Sequence, residues 1–417
     1  MINKNKKNDI NEQKKEDNKE KIAKLFGRKS KRARTFSSFE VGFLLFIFLM
    51  FGIVLGCMIT LCGKSVLGFK LDDDLLEFTS VYNYIKNNYY EDVDSKELIK
   101  SGISGMLGSL DDEYSYYMDK ENTESFNTTV DGKYIGIGLT IQYYEGVTTI
   151  IDMYESSPAA KSGLKAGDII IKVNNKDVTK KDSNQIAKMI SGKIGKEVTI
   201  TVKRDSKELT FKMKVAEIDI PSVFSEVKAE NNHKIGYIAI DNFAANTYKQ
   251  FKKHIERLEK NGIESLIIDV RDNSGGHLSQ VKEILELFFD KKKVLYQIET
   301  KGKAERVYSS TNDSRKYEVV ILTNEASASA SEVLAVCFKE NYKKSTVIGT
   351  TTYGKGTVQK AVDLSSGSSI KFTTQKWLTP SGEWINEKGV KPNIEIKNSE
   401  DSEEDLQLKE AIKVLAE

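Results

Sequence analysis

The segment Ser327-Ala328-Ser329-Ala330-Ser331-Glu332 puts three hydroxyls at the junction between a predicted strand, Val319–Thr323, and a predicted helix, Ala330–Lys339. A hydroxyl there is presented at a helix N-terminus, where unpaired backbone N–H groups can stabilise a developing oxyanion. The competing use is structural: serines cap helices and small residues allow tight packing, and composition alone favours that use. A second segment, Tyr353-Gly354-Lys355-Gly356-Thr357-Val358-Gln359, holds one lysine between two glycines. If buried, its amine is partly neutral and able to act as a general base, which a serine hydroxyl requires because it is a poor nucleophile by itself. Gln359 is placed to orient that amine. A solvated lysine on a surface turn fits the same residues, and spacing does not separate the two.

Other catalytic templates fail. There is no HExxH zinc motif, and Gly356 stands where a phosphate-binding loop ending at Gly354-Lys355 would need a hydroxyl for magnesium. His233, His254 and His277 are too scattered to argue for a metal centre, so neither a metal nor a cofactor is expected. His277 follows Gly275-Gly276, and a Ser-His-Asp arrangement using it stays open, although no GxSxG elbow supports it.

These groups need elements to hold them. A chain of 417 residues predicts two or three domains, and its 39% hydrophobic and 30% charged residues with four prolines exclude a disordered, collagenous or disulfide-built protein. The net charge of +2 gives no global case for nucleic-acid binding. Residues 1–34 carry +8, leaving the rest near −6. Val41–Gly63 is an uncharged run of 23 residues behind the basic flank Arg28, Lys29, Lys31, Arg32 and Arg34. That is long enough to cross a hydrocarbon core of roughly 30 Å, and the positive flank stays inside. A retained signal anchor is expected over a cleaved signal peptide, because the run is long for one and no clear cleavage site follows. Cys57 and Cys62 fall in this run, and Cys337 stands alone as a buried small hydrophobe.

Apolar residues at helical spacing, Leu75 to Tyr89 and Ile99 to Leu110, predict a helical module over 72–125. From Tyr134 the period becomes that of strands. Tyr134–Thr140, Val147–Met153, Ile169–Val173, Glu197–Lys203 and Leu209–Val215, with short helices at Pro158 and Gln185–Ile190, predict a compact β-rich unit. From about Ile218 to Glu395 strands and helices alternate: Ile235–Ile240, Tyr248–Lys260, Leu266–Val270, Leu278–Phe289, Val319–Thr323 and Ala330–Lys339. This predicts an α/β core around a buried sheet.

Four blocks in this order resemble the carboxy-terminal processing proteases, Ser-Lys peptidases with an inserted PDZ domain. They are Gly108-Ser109-Leu110-Asp111-Asp112-Glu113-Tyr114-Ser115-Tyr116-Tyr117; Tyr134-Ile135-Gly136-Ile137-Gly138 with Ser157-Pro158-Ala159-Ala160 through Asp168-Ile169-Ile170; Asp269-Val270-Arg271-Asp272-Asn273-Ser274-Gly275-Gly276; and the serine and Gly-Lys-Gly segments. The resemblance covers about residues 75–396. It implies Ser329 as nucleophile, with Ser331 its rival, Lys355 as base and Gln359 as support. It implies an oxyanion hole from Ala330 and from Gly275 or Gly276. The family's usual nucleophile-to-lysine spacing is one residue shorter and would land on Ala330, so the extra residue is assigned to the loop Glu340–Thr346. Ser274 replaces the usual proline and Tyr353 the usual phenylalanine.

The implied architecture is multidomain α/β: a basic cytoplasmic tail (1–40), a transmembrane anchor (41–63), a helical N-terminal module (72–125), a PDZ-like domain (130–216), a Ser-Lys protease core (218–396) and a C-terminal helical tail (397–417). The implied function is an extracytoplasmic, single-pass membrane endopeptidase. It would bind apolar protein C-termini as an added strand, with N–H groups of Gly136, Ile137, Gly138 and Leu139 receiving the carboxylate. A homodimer or a regulatory partner is also implied, and no nucleic acid. The alternative is a membrane-anchored, non-catalytic PDZ-type scaffold.

Overall fold

The computed structural model describes residues 37–61, 72–312, 314–399 and 404–417. The chain forms two units, 1–98 and 99–417. In the first, helix α1 (Ser38–Leu61) covers most of the predicted span; Cys62 and Gly63 lie outside the described residues, as does the basic tail up to residue 36. Among the described residues no helix is long and apolar enough to cross a membrane. Helix α2 (Asp73–Asn88) carries the expected apolar stripe, but buries none of it. Helix α3 (Ser95–Gly108) straddles the boundary between the units and buries Leu107. The helical pattern predicted to Leu110 stops here, and a loop leads to strand β1 (Tyr116–Met118).

Helix α4 (Lys120–Asp131) is capped by the Asp119 carboxylate, which accepts from the Asn122 N–H, and ends at Gly132 in the left-handed region. The β-rich domain follows: β2 (Lys133–Gly136), β3 (Leu139–Tyr144), β4 (Val147–Met153), helix α5 (Pro158–Ser162), β5 (Ile169–Val173), β6 (Lys176–Asp177), helix α6 (Ser183–Ile190), β7 (Glu197–Arg204), β8 (Lys207–Lys214) and β9 (Ala216–Asp219). The strand predicted as Tyr134–Thr140 is two strands, because Gly138 takes φ 80° and turns the chain from one sheet into another. The main sheet runs β3-β4-β5-β7-β8, with β6 on β5. Inward residues Ile150, Ile170, Ile186 and Ile200 are fully buried, which follows from the two-residue alternation of strands and one apolar stripe on α6. Asp168, also buried, receives both Nε and Nη2 of Arg204 at 2.6 Å and the Lys165 N–H, fixing the Gly163–Asp168 turn. Burial alone would raise that carboxyl; the guanidinium outweighs it and leaves Asp168 below the usual carboxylate range.

Strands β2 and β9 pair with each other alone, Lys133 opposite Asp219. The chain therefore enters and leaves the β-rich domain side by side. Asn246 pins this stalk, donating from Nδ2 to the Gly132 carbonyl at 2.8 Å, while the Ala245 N–H donates to Val130.

The core domain continues with β10 (Val223–Glu230), β11 (His233–Ile240), helix α7 (Thr247–Lys260), β12 (Ser265–Asp269), helix α8 (Leu278–Leu285), β13 (Val294–Thr300), β14 (Lys303–Tyr308), β15 (Glu318–Thr323), helix α9 (Ala330–Asn341), β16 (Ser345–Gly349), β17 (Thr357–Asp363), β18 (Ser369–Leu378), β19 (Ile394–Glu395) and helix α10 (Leu406–Ala416). The central sheet is β10-β11-β12-β15-β16-β19, parallel except for β10. Its strands are apolar on both sides because both faces are covered. Leu266, Ile268, Val319 and Ile321 face α7, α8 and α9. Ile267, Val320, Leu322 and Ile348 face Ala411 and Leu415 of α10. The C-terminal segment, expected as a helical tail, is thus the second cover of the sheet. A separate antiparallel sheet, β1-β18-β13-β14 with β17 on β18, was not foreseen.

Candidate active site

All three serines of the Ser-Ala-Ser-Ala-Ser run lie beyond the carboxyl end of β15, where ligands of open α/β sheets gather. Their environments differ. Ser327 is buried and donates its hydroxyl to the Val270 carbonyl at 2.7 Å. Ser331 is buried and donates to the Asn273 carbonyl at 2.8 Å. The outer serines therefore staple the serine run to the Val270–Gly275 segment, and the Ser331 hydroxyl is already committed to a backbone carbonyl. Ser329 donates its hydroxyl to no acceptor among the described residues. It has φ 55°, ψ −112°, a conformation disfavoured for a residue with a Cβ, and it is the N-cap of α9. It forms a capping box with Glu332, so the structural use of serine and the chemical one coincide at this residue.

Gly275 and Gly276 lie against it. A side chain on Gly275 (φ 105°) would come within 2.8 Å of the Ser329 Cβ and the Ala328 carbonyl, and one on Gly276 (φ 141°) within 2.4 Å of the Phe243 carbonyl. Only glycine permits both the positive φ and this approach. The Gly275 N–H is taken by Asn273 Oδ1 at 2.8 Å, so it is not available to an oxyanion. The N–H groups of Ala330 and Gly276 have no backbone acceptor among the described residues.

Lys355 precedes β17. The two tryptophans of the chain fix its backbone: Trp377 Nε1 donates to the Lys355 carbonyl at 2.7 Å and Trp384 Nε1 to the Gly356 carbonyl at 2.9 Å. Burial, then the nearby Lys371 charge, lowers the amine to about 8, against the partial opposition of Asp112, Glu113 and Glu332. Its Nζ lies 4.1 Å from the centre of the Tyr114 ring. It makes no hydrogen bond to Ser329 or to Gln359. Gln359 donates instead to Thr357 and Thr373 at 2.9 and 3.1 Å.

Glu332 joins the two halves. Its fully buried carboxylate accepts the Ser329 N–H at 2.7 Å, the Thr352 hydroxyl at 2.6 Å, the Gly354 N–H at 2.7 Å and the Lys355 N–H at 2.8 Å. Burial pushes its carboxyl up, and these four donors pull it back in part. The sequence reading assigned Glu332 a structural place at the helix start; its reach to the lysine loop, 22 residues downstream at Gly354, has no local signal. Neither has Tyr114. Two histidines are engaged elsewhere: His254 faces Ser225, and His233 faces Ser265.

Similarity agrees with this geometry. Residues 234–396 match peptidase family S41, residues 133–215 the PDZ domain, and residues 64–122 the activating protease CtpB N-terminal domain. The chain is 42% identical over 349 residues to the carboxy-terminal processing protease CtpB of Bacillus subtilis strain 168, covering 82% of this chain and 72% of that one. The chain belongs to the carboxy-terminal processing protease family. It is a serine-type peptidase. Two further relatives are the carboxy-terminal processing protease CtpA of the same organism, 37% identical over 80% of this chain and 72% of that one, and a probable CtpA-like serine protease of Staphylococcus aureus strain N315, 36% identical over 80% and 67%.

In this peptidase the β-rich domain is the PDZ domain. The edge strand of its main sheet, β3, has one free edge and lies beside α6. The segment Gly136-Ile137-Gly138-Leu139 turns between β2 and β3, with the Ile137 carbonyl held by the Ala159 N–H and the Gly138 carbonyl by the Tyr154 N–H. The N–H groups of Gly138 and Leu139 turn to the Tyr134 phenol, which burial and the neighbouring Tyr154 push up to about 12.

Proposed function

We propose that this peptidase cleaves proteins by an acyl-enzyme route in which Ser329 is the nucleophile and Lys355 the general base. The observation that carries this reading is the division of labour among the three serines: two hydroxyls are spent on backbone carbonyls and the third is uncommitted, strained and tied through Glu332 to the lysine loop. In the reaction the neutral Lys355 amine swings to Ser329 and takes its proton as Oγ attacks the scissile carbonyl. The N–H groups of Ala330 and Gly276 receive the oxyanion. The ammonium then protonates the leaving nitrogen, and water repeats the cycle to release the acyl group. Gln359 steadies the lysine strand through Thr357 and Thr373.

Substrates present an apolar C-terminus to the PDZ domain and add as a strand along β3, with the carboxylate at the Gly136–Leu139 turn. The catalytic part acts outside the membrane, held there by a span at Val41–Gly63 whose basic flank stays in the cytoplasm. The uncharged length of that run and its basic flank support this placement.

Ser329→Ala should lower cleavage of a protein with an apolar tail by at least about a thousandfold while leaving tail binding intact. Ser331→Ala should keep the wild-type acylation of Ser329 by a fluorophosphonate while lowering thermal stability. The base must be neutral to act, so acylation should rise with pH through the Lys355 titration near 8. Full cleavage by Ser329→Ala would sink the assignment.

A further inference from the structure

Lys355 is poised but not engaged. Its amine rests on the face of Tyr114, 4.1 Å from the ring centre, and not on Ser329. Tyr114 is held there deliberately. Asp111 takes a positive φ of 50°, the Tyr114 N–H donates to Asp112 Oδ1 at 3.2 Å, and Ser115 Oγ bonds Asp112. The Thr373 N–H of β18 then donates to Ser115 Oγ at 3.1 Å, and β1 continues onto the same strand. The loop 111–115 is therefore stitched to the sheet that carries Lys355, and the Tyr114 hydroxyl meets that of Tyr353 at 3.5 Å. The lysine backbone cannot follow its amine, because Trp377 and Glu332 fix it. Only the side chain is free to swing.

We infer that Tyr114 is a positioning residue for the base: its ring face holds Lys355 while the amine is charged and releases it towards Ser329 when the amine is neutral. An aromatic quadrupole attracts an ammonium and has no such hold on an amine. Loss of the proton and delivery of the base thereby become one event. The other charged groups around this amine are Lys371 on β18, Asp112 and Glu113 on the loop, and Glu332 on α9. They set the field in which it titrates, and Tyr114 provides the face on which the amine rests. The inference rests on Lys355 being the base, but its test does not need catalysis.

The amine's own titration can be followed in the full-length chain by trace acetylation between pH 6 and 10, with the Lys355 peptide quantified by mass spectrometry. Tyr114→Phe keeps the ring and should leave the titration unmoved. Tyr114→Leu keeps an apolar cover without the quadrupole, and should move it down by about half to one pH unit, making labelling at pH 7 about three- to tenfold faster. Tyr114→Trp, with a stronger quadrupole, should move it up; opposite shifts in Leu and Trp do not arise from misfolding. The acid limb of Ser329 acylation should shift in the same direction as the titration in the Leu and Trp variants and stay in place in Tyr114→Phe. An unmoved or raised titration in Tyr114→Leu would overturn the inference, whereas matching titrations with Lys355→Ala still cleaving would overturn only the choice of base.

Discussion

Glu332 shows how much one side chain can determine. Four donors converge on its carboxylate from both sides of the cleft, so it fixes the distance between nucleophile loop and base loop without touching a substrate. Glu332→Gln keeps the shape but replaces one acceptor oxygen with a donor, which then faces N–H or O–H groups. We expect a loss of about 2–4 kcal/mol in unfolding free energy, read by urea denaturation. We also expect kcat to fall at least tenfold with little change in KM. Unchanged kcat would mean that the two loops hold their spacing without it. At this scale the sequence marked candidate residues and was silent about their arrangement. Ser329 and Lys355 stand in unusual local strings. That Ser327 and Ser331 are consumed by the Val270 and Asn273 carbonyls depends on side-chain hydrogen bonds between segments more than fifty residues apart, and that the Gly275 N–H is spent depends on a local bond to Asn273 Oδ1. Tyr114 reaches Lys355 across an even longer separation.

Elements were legible where their pattern was local. The strands β4 and β5 fall at the predicted residues, and α9 starts at Ala330 as expected. The polar-apolar alternation of β13, β14, β17 and β18 was passed over because those strands are half exposed and lack a continuous apolar run. The role of α10 was missed for the opposite reason: a Lys- and Glu-rich helix looks like surface until its buried stripe is placed on a sheet. That stripe has a measurable value. Leu415→Ala should cost about 2–4 kcal/mol, since it removes a buried side chain from the cover of β11, β12, β15 and β16. Chemical denaturation would measure it, and a loss under about 0.5 kcal/mol would show that the helix is not a structural cover. Arg271 reinforces the same docking, binding Asp269 at the end of β12 and Asp405 at the start of α10. Against the burial that would raise it, this pairing holds the Asp405 carboxyl down to about 2, so its contribution is full at neutral pH and fades as pH falls below the usual carboxylate range.

For the whole molecule, the PDZ domain hangs from a two-stranded stalk, and the segment that pins the stalk leads directly to the glycines beside Ser329. Ala245 and Asn246 bond Val130 and Gly132; two residues earlier, the Phe243 N–H donates to the Gly275 carbonyl at 2.9 Å. Peptide binding and chemistry therefore share a short run of backbone. The proposed topology can be examined on intact cells whose wall has been removed, using a C-terminal tag. External protease should degrade the tagged body and spare an N-terminal tag. A protected C-terminal tag would overturn the outward orientation.

The pairing of β1 with β18 has a consequence for the order in which the chain acquires activity. Tyr116 lies opposite Lys371, so the sheet that supports Lys355 closes a loop of more than 250 residues. Closure over such a span is entropically slow, while the PDZ domain, built from near neighbours and ended by its own stalk, can form early and shorten the loop. The cleft needs β18 and the central sheet needs α10, and both follow the PDZ domain in the chain. A nascent chain thus has no assembled nucleophile and base until β18 has been made, which keeps the peptidase harmless up to that point.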